Sequence, residues 1–292
     1  MAGIMERVFP VGSSLSVMDE YCARKFSPTP TAFIIGPVHS LKSALLIQAA
    51  VTEGAAGGQV LFVAPKKLDH LPPSVHGMPQ PSSSAMNNIQ FLYASQTLDL
   101  QGYLASLHMI LAKDRPTLII IDDLQFYSTT PHCRDAATQM VNAARILSLA
   151  QESAEFCSTS AMTMNKDNNT GSKVSCQCSV LVSWTEQSSS FLKHCELEAF
   201  AKDFCHHVWT VHVNNKGRSR SAAEYHLVEE QSGNVCTISF FDRQLSSSSH
   251  HLFLHQVTLE VEETKVNLEE DIAAKNQNYK GKNIEKTKKY SH

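Results

Sequence analysis

Short apolar runs alternate with stretches of helical period along this chain. Ala32–Ile35, Gln59–Ala64, Ile89–Tyr93, Leu118–Ile121, Cys178–Trp184 and Val208–Val213 read as strands. The run Leu118–Ile121, entered through Pro116, suits a central parallel strand buried on both faces. Between these runs, helices are predicted over Lys42–Thr52, Leu98–Leu111, Arg134–Phe156 and Phe191–Cys205. In the second, Leu100, Leu104, Leu107 and Leu111 recur at helical spacing, which reads as a core-facing stripe. Strands alternating with helices imply an α/β fold with a mostly parallel central sheet covered on both faces.

The pattern changes at both ends and at two interior stretches. Residues 1–30 are polar and irregular and read as a flexible N-terminal arm, in which Val8, Phe9, Val17, Met18 and Phe26 have no evident element. Pro65–Asn88 is rich in Pro and Ser and reads as a loop. Residues 157–173 are rich in Ser, Thr and Asn and read as a flexible insertion. Tyr225–Val228 and Val235–Phe241, with Ser232-Gly233-Asn234 between them, read as a C-terminal hairpin. The α/β domain therefore spans 31–245, and 246–292 reads as a disordered tail. The tail opens on a serine tract, then segregates acids (Glu260–Asp271) from six lysines within Lys275–Lys289.

Composition adds bounds. A hydrophobic share of 42% over 292 residues supports one sizeable core. The net charge of −3 sets up no global field toward nucleic acid, so any such contact needs a local patch. No apolar run approaches the roughly 18 residues that span a bilayer. The N-terminus lacks an uninterrupted apolar signal core. The expectation is an intracellular protein without membrane contact. Eight scattered cysteines read as free thiols in a reducing compartment. Cys205-His206-His207 with Cys195 and His212 supplies ligand-type residues but not the paired spacing of a zinc site.

The chemistry concentrates at Thr31–Ser43, TAFIIGPVHSLKS. A buried strand runs into Gly36, and Lys42-Ser43 opens a helix six residues after that glycine. This is the phosphate-binding pattern G-x-x-x-x-G-K-[ST], except that Leu41 replaces the second glycine. Such a loop cradles phosphates with backbone N–H groups at a helix N-terminus. Gly36, Pro37, Val38, His39, Ser40, Leu41, Lys42 and Ser43 are the candidate cradle. Lys42 would reach the β/γ-phosphates, and Ser43 would hold Mg²⁺. A leucine beside the lysine either crowds the phosphates or is accommodated by a reshaped loop. The second signal is Leu118–Ile121 ending in Asp122-Asp123. An aspartate at the carboxyl end of a buried strand can hold Mg²⁺ through water, and Asp122 directly follows the run. Asp123 would either activate water or cap the next turn.

In GPVHSLKSALL, QVLFVAPKKL, IQFLYASQTLDLQGYLASLH and PTLIIIDDLQFY, the chain resembles the RecA-like ATPases that partner SWIM-type zinc-finger proteins, a group of distant recombinase paralogues. The resemblance covers about Phe33–Val213 in order and spacing. It implies a RecA-like P-loop core that binds ATP and Mg²⁺, with Lys42 and Asp122 catalytic and Ser43 and Asp122 on the metal. It also implies single-stranded DNA binding, DNA-stimulated ATP hydrolysis, and a nuclear complex with the SWIM-type protein that supports the recombinase and its paralogues in homologous recombination repair. Two positions depart from the recombinase pattern. Where a catalytic glutamate is expected after the second strand, the chain reads Ala64-Pro65-Lys66. The γ-phosphate sensor position after Val180–Trp184 holds Thr185, with Gln187 two residues on. These departures predict slow hydrolysis or binding without useful turnover.

For DNA, the stretch after Val208–Val213 carries Lys216, Arg218 and Arg220, cations that can hold phosphates without reading sequence. Two other readings stand beside the slow ATPase. One is a non-catalytic adaptor that keeps the fold as a scaffold for its partner. The other is a small-molecule P-loop kinase, for which no arginine lid cluster is evident.

Overall fold

The computed structural model describes residues 5–9, 31–131, 133–164, 177–187, 192–214, 223–231, 234–246 and 249–261. The described elements lie in the unit Met1–Glu260, apart from the last residue of the final strand. Ten strands form one sheet: β1 (Thr31–Pro37), β2 (Val60–Ala64), β3 (Ser74–Val75), β4 (Ile89–Tyr93), β5 (Leu118–Ile121), β6 (Ser179–Glu186), β7 (His207–Asn214), β8 (Glu224–Gln231), β9 (Asn234–Ser246) and β10 (Ser249–Val261). Their spatial order is β3-β10-β9-β8-β7-β1-β6-β5-β2-β4. From β7 through β1, β6, β5 and β2 to β4, every pairing is parallel. β8 and β9 extend this sheet antiparallel from β7. The expected architecture, α/β with a mostly parallel sheet and a C-terminal hairpin, is the one observed.

The central strands β1, β2 and β5 are apolar on both faces because helices cover both. α1 (Lys42–Ala55) packs on one face, where Ala44–Val51 is buried with Ile34, Phe62, Ile120 and Leu181. A helix apolar all round belongs inside, and KSALLIQAAVT is one. The other face carries α2 (Thr97–Ser106), α3 (Ala136–Met164) and α4 (His194–Phe204), packed on Phe33, Val63, Ile121 and Val182. The leucine stripe is core at Leu100, Leu104 and Leu107, but Leu111 is exposed. The α-helix stops at Ser106, and the chain turns extended at Ile110, so the helical period no longer governs residue 111.

Four stretches differ from the sequence reading. Met5–Arg7, within the expected flexible arm, forms a 3-10 turn, and Val8 and Phe9 are buried. Phe9 lies 5.4 Å from Phe240, and Arg7 Nε meets Glu53 Oε2 at 3.0 Å. Five residues are too few to show a period, so their burial is set by the antiparallel extension, whose apolar face they cover. The Pro/Ser-rich stretch holds β3 and a helical turn, Ser83–Met86, capped by Ser82. α3 continues through 157–164, where an insertion was expected, and Cys157 is buried. The remainder of that insertion lies largely outside the described residues. Most consequential is β10, inside the expected tail: it pairs with β3 through His251–Ser74 and Leu252–Val75. Leu252 is fully buried and Leu254 packs on the same core, but Phe253 stands between them with His251 and His255 on the other side, and with the serine tract before it this obscured the alternation.

Among the described residues, no helix is long and apolar enough to cross a membrane.

Candidate nucleotide-binding site

The loop between β1 and α1 has the shape its residues require. Gly36 pairs with Thr185 at the end of β1. A Cβ there would stand 2.8 Å from Ser40 Oγ and 3.0 Å from Val211 Cβ, so close approach rather than a positive φ demands glycine. Ser40 N–H closes the turn on Pro37 O at 3.3 Å. His39 and Leu41 both lie in the left-handed region, at φ 63° and 62°. Leu41 thus adopts the backbone conformation that the replaced glycine would take freely, at a cost of about 1–2 kcal/mol. Its side chain packs against the α1-face core. Val38 and His39 are exposed, Ser40 is buried, and Ser43, on the first turn of α1, is half-buried.

Lys42 turns inward. Its Nζ donates to Gly36 O at 3.0 Å, Pro37 O at 2.6 Å and Ser40 Oγ at 2.9 Å. Burial lowers its pKa from 10.5 to about 8, against the opposing pull of Asp122, Asp123 and Glu186, whose charges all act on it. A buried cation held by loop carbonyls at the first residue of a helix has the chemistry to take a polyphosphate.

The acid pair stands across from it. Asp122 is buried at the end of β5, and its Oδ1 accepts from Ser183 Oγ at 2.7 Å. The same hydroxyl accepts from Asp123 N–H at 2.8 Å. Ser183 lies on β6, the strand between β1 and β5, so one serine ties the two acids to the centre of the sheet. Asp123 is the residue before the five-residue turn Leu124–Ser128, at φ 62° and ψ 61°, and its side chain makes no capping bond. The cap expected as its plainer role is therefore not what the structure shows. Its carboxylate hydrogen-bonds Thr185, and burial foremost, then the Asp122 charge, raises its pKa. Oδ1 of Asp123 is buried without a hydrogen-bond partner, as is the hydroxyl of the fully buried Tyr127. Burial, then the two acids, drives the Tyr127 pKa up.

The structure thus brings Gly36, Lys42, Asp122 and Thr185 to the carboxyl ends of β1, β5 and β6, the edge where open α/β sheets bind ligands. Gln187 is exposed one residue past β6. The end of β2 carries a half-buried Pro65 and exposed Lys66 and Lys67. Lys216, Arg218 and Arg220 lie outside the described residues. Among the described residues, Cys205, His206 and His207 do not form a metal-ligating group. Burial pushes the Cys205 thiol up to about 12, and its side chain hydrogen-bonds Thr31. His206 Nδ1 meets Thr31 Oγ1 at 2.8 Å, and His207 Nδ1 meets Glu229 Oε1 at 2.8 Å.

Sequence reasoning missed Ser183 and Glu186. A serine inside the apolar strand SVLVSWTE was the available signal for the first. The second was hidden because β6 outruns its apolar residues: Glu186 pairs with Pro37 and is held by His194 Nδ1 at 2.6 Å.

Gly36 and the inward Lys42 fit a phosphate chain, and Asp122 with Ser43 supplies the oxygen donors that Mg²⁺ favours. No protein-family model matches the chain, and no curated protein does. Among solved structures, it is similar to the RadB recombinase at 12% identity, over 81% of this chain and 96% of that one, with a TM-score of 0.47. It is likewise similar to a KaiC-like protein from Pyrococcus horikoshii at 9% identity, over 78% and 89%, with a TM-score of 0.44. The flagellar accessory protein FlaH from Methanocaldococcus jannaschii aligns at 12% identity, over 86% and 98%, with a TM-score of 0.42.

Proposed function

We propose that this protein binds ATP and hydrolyses it slowly, with single-stranded DNA as stimulator, in a nuclear complex with a SWIM-type zinc-finger protein that supports the recombinase in homologous recombination repair. The observation that carries the nucleotide part is the convergence of Lys42 and Asp122 at the carboxyl edge of the sheet, locked by Ser183. The partner and the DNA rest on the sequence resemblance across Phe33–Val213.

In this reading the loop Gly36–Ser43 wraps the phosphates. Lys42 leaves its own carbonyls for the β/γ-phosphate oxygens and neutralises charge as it builds during transfer. Ser43 and Asp122 would hold Mg²⁺, which supplies Lewis-acid stabilisation of the phosphoryl oxygens. Ser183 fixes the Asp122 carboxylate, and Thr185, level with Gly36 in the β1–β6 register, would serve as the polar γ-phosphate sensor.

A non-catalytic adaptor is the second reading, favoured by the absence of an acid after β2 and by a lysine already satisfied within its own loop. The deciding experiment measures ATP binding and turnover by wild type and Lys42→Ala, with and without single-stranded DNA, in complex with the SWIM-type protein. DNA-stimulated turnover lost in the variant supports the ATPase. Lys42-dependent binding without turnover supports the adaptor, and binding indifferent to Lys42 refutes both site assignments.

A further inference from the structure

We propose that Asp123 is the carboxylate that orients the attacking water, taking the part of the acid absent after β2. The inference rests on the ATPase reading and assigns a catalytic residue to the same site.

Three acids act on Lys42: Asp122, Asp123 and Glu186. Asp122 is engaged by Ser183 Oγ at 2.7 Å and is the metal candidate. Glu186 is engaged by His194 at 2.6 Å on the half-exposed rim. Asp123 alone of the three has a buried oxygen without a partner. A buried acceptor left unpaired costs stability, and a water bonded to it removes that cost. The Tyr127 hydroxyl, also buried and unpartnered, belongs to the turn that Asp123 starts and is close enough to feel both acids. An acceptor and a hydroxyl on one short turn are what an ordered water needs.

The backbone points the same way. Asp123 is held left-handed although nothing in capping requires it, with its N–H on Ser183 Oγ and its carboxylate on Thr185. Strain kept by surrounding bonds, at a residue whose charge acts on the phosphate lysine, marks a position selected for where it holds its side chain.

The step balances without a further reactant. The water oxygen bonds to the γ-phosphorus as the bond from phosphorus to the bridging oxygen breaks. ADP leaves with that electron pair, and both water protons leave on the phosphate: ATP⁴⁻ + H₂O gives ADP³⁻ + H₂PO₄⁻. Asp123 accepts a hydrogen bond from the water and sets its line of attack.

The test uses the full chain with its SWIM-type partner and compares Asp123→Asn, Asp123→Glu and Asp123→Gly in single-turnover hydrolysis, ATP binding and thermal melting. Asn and Gly are expected to lose about a hundredfold or more in the hydrolysis rate. ATP affinity should stay within about threefold, since the residue acts on the water and not on the bound nucleotide. Glu should recover part of the rate. Gly should melt at or above the wild-type temperature, because it adopts φ 62° without strain. A residue with a merely structural role would lose stability and binding together with rate. Hydrolysis within about threefold of wild type in Asn overturns the proposal. Parallel loss of ATP binding also overturns it, as does Lys42-dependent binding by a wild type that never hydrolyses. Failure of the wild type to bind ATP at all instead overturns the nucleotide reading beneath it.

Discussion

Leu41 gives the sharpest test of the phosphate loop, because two effects of similar size oppose each other there. The residue sits at φ 62° and ψ 13°, immediately before α1. A side chain in that conformation costs about 1–2 kcal/mol, which glycine does not bear. Against this, the leucine is half-buried against the α1-face core, and removing such contacts costs about 1–2 kcal/mol. Leu41→Gly alone is therefore expected to move stability by less than about 1 kcal/mol, the two effects nearly cancelling. The informative comparison is Leu41→Ala with Leu41→Gly. Both lose the leucine contacts, but alanine keeps the Cβ and the strain. Glycine should then be the more stable by about 1 kcal/mol, or about 2–4 °C in Tm for an ordered core of this size.

At an ordinary position the sign is the reverse, since glycine is less stable than alanine by roughly 0.5–1 kcal/mol. Urea melts of the two variants decide between the signs. Alanine more stable than glycine would refute the left-handed assignment, and with it the claim that Leu41 occupies the conformation of the replaced glycine. Nucleotide affinity supplies a second check. Because the side chain packs on the core, neither substitution should tighten ATP binding by more than about twofold. A tenfold gain in both would mean that the leucine crowds the phosphates.

The Lys42 pKa, lowered from 10.5 to about 8, makes the folded state bind fewer protons than the unfolded chain between those values. Its burial penalty is thus fully present below pH 8 and is relieved as the pH rises toward 10.5; pH-dependent urea melts should show a rise in wild type, bounded by about 3 kcal/mol, that is absent in Lys42→Met. Arg7→Ala leaves the partly buried Glu53 with Thr117 as its remaining side-chain partner and should cost about 2 kcal/mol, read as a drop in Tm. Ser183→Ala removes the hydroxyl shared by Asp122 and Asp123; it should cost about 1–2 kcal/mol in urea melts and slow hydrolysis more than it weakens ATP binding. Cys205 should resist alkylation of the native protein at pH 9, where Cys195, exposed on α4, reacts; equal labelling would refute its burial.

The centre of the parallel sheet was legible because β1, β2 and β5 are apolar on both faces. Leu118–Ile121 and Ile89–Tyr93 fall where the runs of apolar residues end. The strand–turn–helix around Gly36 was legible because the apolar run Ala32–Ile35 ends in a glycine and an apolar helical run opens at Lys42. What escaped depends on contacts between residues far apart in sequence. Val8 and Phe9 lack any period, and they are buried by meeting Phe240 and its neighbours, on β9 near the far end of the domain. The β10 alternation uses histidine on its outer face, and His76 and Phe253, stacked at 4.6 Å, join its edge to the Pro/Ser-rich stretch. The bridging role of Ser183 requires knowing that β6 lies between β1 and β5, an order that no local pattern encodes.

That insertion of β6 also explains how a site with an imperfect loop keeps its geometry. Leu41 and Asp123 are both strained, and each sits where a helical segment begins at the carboxyl edge of the sheet. Strain of this kind persists only where neighbouring bonds over-determine it. At Asp123 the bonds come from Ser183 and Thr185, both on β6. At Leu41 the restraint is the lysine beside it, whose Nζ gathers Gly36 O, Pro37 O and Ser40 Oγ from the same loop. On the proposed reading, nucleotide would have to break those bonds to engage Lys42, so its phosphates would compete with a loop already satisfied. They would win because a phosphate–ammonium bond is charge-assisted on both sides, whereas the bonds it would replace are to neutral acceptors. The net gain is correspondingly small. Lys42→Ala should therefore weaken ATP binding less than the loss of a charged contact alone would suggest, while Asp122→Asn, which discards no competing loop bond, should be the more damaging to hydrolysis.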